Sequence, residues 1–237
     1  MTFCLGMRLE EGLVAIADTR VVSGSEVIQA RKISVYQKGQ SSMFVMTSGL
    51  RSVRDKALTY FEDHLATMDE PFDRLFKAVN AFADQLRRVA TEDRQALSSS
   101  GFSFDMFALI GGQMARDTHP MLYLVYPQGN WVEVGEGTPY QIIGSAAYGK
   151  PVLDRTLKYS DKLAFALKVG CLAFDSTRIS ASDVDFPLDV VIYRNGEFKM
   201  TEHRYEKGDL AELSNWWANR LRQSVNEVPA GAIDKLF

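Results

Sequence analysis

A net charge of −3 over 237 residues, from 27 Lys and Arg against 30 Asp and Glu, gives nucleic acid or an anionic membrane little to hold as a main partner. The composition is 46% hydrophobic, 11% aromatic and 24% charged, that of a globular chain with a sizeable core, and the length suits one domain over 1–237. No apolar run approaches the roughly 20 residues of a membrane span, and the first residues lack the basic and apolar regions of a signal peptide, so a cytoplasmic protein is expected.

Residues 3–9 alternate, with Phe3, Leu5, Met7 and Leu9 on one face and Cys4, Gly6 and Arg8 on the other. This predicts a strand that begins almost at the chain start and sets Thr2 on the face opposite Phe3. A turn at 10–12 and an apolar run at 13–18 complete a hairpin whose second strand is buried on both faces. Two more strands follow at 31–37 and 42–48. The period then becomes helical through Val53, Ala57, Leu58, Phe61 and Leu65, and "DEP" at 69–71 separates this helix from the next. The second helix carries one apolar stripe of Phe72, Leu75, Phe76, Val79, Phe82, Leu86 and Val89. After a small loop at 98–101, strands are predicted at 104–111, 121–126, 130–134 and 140–143, and helices at 147–158 and 161–173. A last hairpin pairs 188–193 with 197–203 around "RNG". Leu210, Leu213, Trp217 and Leu221 mark a closing helix, with Trp216 exposed beside the core-facing Trp217 as a hint of an interface. Runs of strands joined by short turns and interleaved with helix pairs predict an α+β fold of mostly antiparallel sheets covered by helical layers.

Conventional catalytic constellations are missing. His64, His119 and His203 have no metal-ligand spacing, and no CxxC, HExxH or GxSxG occurs, so neither metal nor cofactor is expected. Cys4 and Cys171 sit in apolar surroundings and read as inert buried thiols. The remaining candidate is the chain start. Thr2 has a small side chain, so removal of Met1 is expected, leaving a hydroxyl nucleophile and an α-amine on one residue. That amine, with a pKa near ~7.7–8.0, is partly neutral at physiological pH and can act as a base. Such a site needs a cation to favour the alkoxide, an acid to hold the cation, and an N–H for the oxyanion. Lys32, Asp18 and Gly49 are the nearby candidates, Gly49 standing just before a helix whose positive end favours an anion. Taken singly, a lysine at a strand start is usually a solvated charge and an aspartate after a strand a turn former.

Together, Thr2, "D-x-R" at 18–20, "KI" at 32–33, "SG" at 48–49 and "GS" at 144–145 resemble the proteasome β-subunit and its bacterial relatives. The second half, with "LIGGQ" (109–113), "YPQGNWVEV" (126–134), "IIGSAAYGKPVLDR" (142–155) and "FDSTRISASDVDFPLDVVIY" (174–193), resembles the bacterial Anbu family. The resemblance implies an N-terminal nucleophile hydrolase with a four-layer αββα sandwich. It implies Thr2 as nucleophile and base, Asp18 and Lys32 as the charge pair, Gly49 as oxyanion donor, and Ser145 and Asp175 as supports of the terminal amine. A further support falls within Ser176, Thr177 and Arg178, which sequence does not separate. Val22 is implied in a substrate-binding strand, standing where threonine is frequent. Arg51 either points into the pocket, preferring an acidic or polar side chain, or is a solvated first-turn residue. The resemblance also implies self-assembly into rings or spirals, peptide or unfolded protein substrates, and ATP-grasp, α-E-domain and transglutaminase-like neighbours. A shared acyl-enzyme leaves hydrolysis and transfer or ligation open. A scaffold or binding ring without turnover is the contrasting reading, which a retained Met1 favours.

Overall fold

The computed structural model describes residues 2–23, 26–231 and 233–236. Strands β1 (Phe3–Leu9) and β2 (Gly12–Asp18) form the expected hairpin. Every residue of both is buried, because the strands lie inside the molecule with both faces covered. Phe3, Leu5, Met7 and Leu9 face a helical layer, while Cys4 faces a second sheet. β10 (Tyr140–Gly144) pairs with the free edge of β1, β11 (Leu188–Arg194) with β2, and β12 (Met200–Tyr205) closes the far edge. The order is β10-β1-β2-β11-β12, with every ladder antiparallel.

The second sheet runs in chain order through β5 (Ile33–Lys38), β6 (Ser41–Gly49), β7 (Met106–Met114), β8 (Met121–Val125) and β9 (Trp131–Glu133), again antiparallel. Between the sheets lies one core, built from Phe44, Met46, Leu109 and Leu122 on one side and Cys4, Leu13, Ala15, Ala17 and Val191 on the other. Helices α1 (Arg51–Ala66) and α2 (Leu75–Ser99) cover the second sheet. Helices α3 (Lys150–Thr156) and α4 (Leu163–Ser180) cover the first, and α5 (Ala211–Asn226) packs on α4. The result is the four-layer αββα sandwich. Each large side chain buried in these layers contributes roughly 1.5–3 kcal/mol. Phe61 adds edge contacts to Tyr36 at 5.8 Å and Phe82 at 5.4 Å, pairs worth about 0.5–1.5 kcal/mol each. Among the described residues no helix is long and apolar enough to cross a membrane.

Several boundaries differ from the sequence reading, each for a local reason. Phe72 stays outside α2 with its ring 6.2 Å from that of His64, and Phe76 is exposed; Ala78 and Ala83 complete the buried stripe instead. The helix expected at 147–158 narrows to α3, where Pro151, fixed at a helical φ, marks the first turn. The helix expected to end at 173 continues to Ser180, because Asp175 and Thr177 are buried rather than solvated. β12 starts at Met200, after Phe198 turns the chain at φ 50°. No residue of α5 is fully buried: Leu213 and Trp217 are half-buried, and Trp216 and Leu221 exposed. A hairpin absent from the reading, β3 (Arg20–Ser23) with β4 (Glu26–Gln29), forms a separate two-stranded ribbon.

Candidate active site

At one end of the sandwich a cavity of about 310 Å³ is lined by Thr2, Val22, Lys32, Gly49 and Arg51 among others. Five of the eight site residues read from the sequence therefore share one space. Thr2 stands directly before β1, which runs between β10 and β2, so it emerges from the sheet interior rather than from an edge. The Ser145 N–H donates to the Thr2 carbonyl at 2.6 Å. Gly144 precedes it at φ +88°, and a Cβ there would lie 2.0 Å from that carbonyl oxygen, so only glycine permits the approach. Met1, whose removal is expected, lies outside the described residues.

Asp18, at the end of β2, is fully buried. Its Oδ1 accepts from the Phe3 N–H at 2.8 Å and from Lys32 Nζ at 2.7 Å, and its Oδ2 from the Arg20 N–H at 3.1 Å. Lys32 Nζ also donates to the Arg20 carbonyl at 2.6 Å. An ammonium has three N–H donors; Asp18 and the Arg20 carbonyl take two, and the residue itself lines the cavity. Burial pushes the Asp18 carboxyl above the usual carboxylate range, against the opposing pull of Lys32 and the two backbone N–H groups. Lys32 stands directly before β5 of the other sheet, its carbonyl accepting from the Thr47 N–H at 3.3 Å. The site thus straddles the sandwich, with Thr2 and Asp18 on one sheet and Lys32, Thr47 and Gly49 on the other.

Gly49 ends β6 at φ +131°, where a Cβ would lie 2.1 Å from the Asp105 carbonyl. The chain turns there into α1, the Leu50 N–H donating to that same carbonyl at 2.8 Å. Arg51 lines the cavity, is 55% exposed and pairs with Asp55 at 3.3 Å. Val22 reaches the cavity from β3.

Asp175 does not line the cavity. It is buried on α4, where its Oδ1 accepts from Arg178 at 2.9 and 2.7 Å and from the hydroxyl of Ser214 on α5. Of the three residues left open beside it, Arg178 is the one that bonds to Asp175. The hydroxyls of Ser176 and Thr177 donate instead to Leu172 and Ala173 carbonyls one turn back, at 2.9 and 2.8 Å. The link from this cluster to the chain start is aromatic, the Phe174 ring lying 6.0 Å from that of Phe3.

Sequence reasoning missed Thr47, Arg54 and Asp105, which also line the cavity. Arg54 was findable, standing three residues after Arg51 and so on the same helical face. Asp105 arrives only through the β6–β7 register, which opposes Gly49 to Met106. Neither histidine nor cysteine is among the described lining residues. Cys4 and Cys171 are free and buried, and burial pushes both thiols up, Cys171 to about 12. Among the described residues no group of three or more His, Cys, Asp or Glu is arranged to hold a metal ion.

The model of the proteasome subunit family matches residues 2–183. Among solved structures, a mutant form of Anbu from Hyphomicrobium sp. strain MC1 has TM-score 0.89 and 31% identity, over 96% of this chain and 99% of that one. Anbu, the ancestral beta-subunit, from Yersinia bercovieri has TM-score 0.88 and 26% identity, over 96% and 97%. A helical assembly of the Anbu complex from Pseudomonas aeruginosa has TM-score 0.89 and 26% identity, over 96% and 97%. Comparison with curated proteins returns no match.

Proposed function

The chain belongs to the proteasome subunit family and, within it, to the Anbu group, and from that premise we propose that it is a threonine-type N-terminal nucleophile hydrolase acting on amide bonds of peptides or unfolded proteins. The observation that carries the reading is the buried Lys32–Asp18 pair at 2.7 Å beside the cavity that Thr2 lines. Removing two charges from water costs several kcal/mol per ion, and a well-packed apolar pair is often as stable or more so. A pair retained in such a place is a functional-site candidate.

In the proposed reaction the neutral α-amine of Thr2, freed by loss of Met1, takes the Thr2 hydroxyl proton as Oγ1 attacks the substrate carbonyl. The Lys32 ammonium favours the developing alkoxide, and Asp18 fixes that ammonium. The oxyanion of the tetrahedral intermediate accepts from the Gly49 N–H near the positive end of α1. The ammonium formed at Thr2 then gives its proton to the leaving amine, and an ester to Thr2 remains. Water resolves it to the acid, or an amine resolves it to a new amide. The Ser145 N–H holds the Thr2 backbone, and Asp175, acting through its cluster with Arg178, supports the chain start.

Intact mass before and after treatment with a peptide epoxyketone, which needs both the hydroxyl and the adjacent free amine, tests the reading. Loss of one methionine mass followed by a single adduct is expected, and Thr2→Ala should abolish the adduct while leaving assembly intact. Retained methionine without adduct would move the weight to a binding or scaffold role. We further propose that the chain self-assembles and works in the cytoplasm, the first supported by the helical assembly of its Pseudomonas aeruginosa relative; light scattering at a single-chain mass would count against it.

A further inference from the structure

We infer that the cavity beside Thr2 receives a carboxylate-bearing side chain, glutamyl or aspartyl, from the acyl side of the substrate, an inference that rests on Thr2 being the nucleophile. Two independent features point to it. The first is Thr47, which is 3% exposed, lines the cavity, and has a buried Oγ1 without a hydrogen-bond partner. Thr47 lies on the same face of β6 as Met43 and Val45, whose side chains join the core beneath α1 and α2. Its side chain thus lies on the α1 side of that sheet. A buried hydroxyl left unpaired is costly, so an incoming acceptor is rewarded.

The second feature is the charge of that side. Arg51 and Arg54 stand one turn apart at the start of α1 and both line the cavity. They share one carboxylate: Asp55 accepts from Arg51 Nε at 3.3 Å and from Arg54 Nε and Nη2 at 2.8 and 2.6 Å. Two guanidiniums on one carboxylate leave one positive charge over, and the α1 N-terminus adds to it. The third cation, Lys32, is already matched by Asp18. Asp105, an exposed acid that also lines the cavity, formally offsets that charge, so the discrimination rests on the partly buried Arg54 and the buried Thr47 rather than on net charge.

The alternatives fare worse. An apolar side chain leaves the Thr47 hydroxyl unpaired and strips water from Arg54, whose side chain is only 16% exposed. A cationic side chain gains Asp105 but meets two guanidiniums. A carboxylate accepts from Thr47 Oγ1 and from the guanidinium N–H groups of Arg54 that Asp55 does not engage, with the half-exposed Arg51 free to swing from Asp55.

The test compares three peptide epoxyketones that differ only in the residue bearing the warhead, Glu, Leu or Lys. The Glu probe is expected to label at least about 10-fold faster than Leu, a charge-assisted hydrogen bond being worth that much, with Lys slowest. Arg54→Ala and Thr47→Val should each reduce the Glu-to-Leu ratio about 10-fold, and Arg54→Lys, which keeps charge but loses the guanidinium's additional donors, should fall between. Fastest labelling by Leu or Lys, or a ratio unmoved by both Arg54→Ala and Thr47→Val, overturns the inference. If no probe labels, the nucleophile reading fails and the pocket is judged separately. Fluorescence anisotropy of the corresponding peptide amides on the unreactive Thr2→Ala protein then decides, a Glu preference lost in Arg54→Ala supporting the pocket and no preference refuting it.

Discussion

Lys32 and Lys56 each hold a carboxylate at 2.7 Å, but the two regions around them obey different physics. Lys32 and Asp18 are 3% and 0% exposed. Lys56 bridges Glu92 and Asp93 across α1 and α2 with all three side chains about a third exposed. The titrations diverge accordingly. Burial outweighs the partners of Asp18 and pushes its carboxyl up. Lys56, Tyr60 and Arg88 outweigh what burial Glu92 has and hold its carboxyl down to about 2. Contact distance alone therefore says little. Water access decides whether an ion pair is a load on the fold or an incidental tie on its surface.

The strongest way to break this comparison is to cut both pairs. Lys32→Ala leaves the Asp18 carboxylate buried without its cation, which should cost about 3–5 kcal/mol in urea unfolding and slow epoxyketone labelling about 10²–10⁴-fold. Combining Lys32→Met with Asp18→Asn should recover part of the stability and none of the labelling, since the side-chain amide that replaces the carboxylate keeps an oxygen to accept from the Phe3 N–H. A Lys32→Ala protein of normal stability and rate would remove Lys32 from the proposed mechanism and make its buried pair dispensable to the fold.

A second, smaller effect sharpens the contrast through pH. Carbon-13 NMR of the two side-chain carboxyls should place the Asp18 midpoint above the usual aspartate value of about 4 and that of Glu92 near 2. For Asp18 the folded state holds its proton more tightly than the unfolded one, so acidification through that window removes no stability through this group while dissolving its pairing with Lys32. For Glu92 the sign reverses: its contribution is present above the unfolded glutamate range and is lost as pH falls toward about 2. An Asp18 midpoint below the usual range would mean that Lys32 outweighs burial after all. The smallest effect expected is that of Lys56→Ala, which should leave labelling unchanged and the melting temperature nearly so. A loss rivalling that of Lys32→Ala would erase the distinction.

β1 was legible from its alternation and β2 from its continuous apolar run, with a short turn between them. The ribbon of β3 and β4 was not, since all four β4 residues are exposed and no buried face imposes a period. Near the site, the residues adjacent in sequence to a turn or strand end, Asp18, Lys32, Gly49 and Ser145, could be chosen from local pattern and family resemblance. Thr47 looked like one more strand residue, because a hydroxyl without a partner is a property of three-dimensional surroundings. Ser214 approaches Asp175 from 39 positions away, a distance over which no local pattern speaks. Asp175, implied by the resemblance as a support of the terminal amine, bonds to Arg178 within its own helix and to Ser214 on α5.

Because the two halves of the site hang from different sheets, the side chains sandwiched between those sheets act as its gauge blocks. Phe44, Leu109 and Leu122 on one side and Ala15, Ala17 and Val191 on the other set how far apart the sheets stand, and a close-packed interior does not yield gradually. The spacing between Lys32 and Asp18 is then a machining tolerance inherited from apolar residues that never meet a substrate. Divergence within the middle core, conservative by hydrophobicity, becomes a route by which such a sandwich gains or loses chemistry with every residue of its cavity left in place.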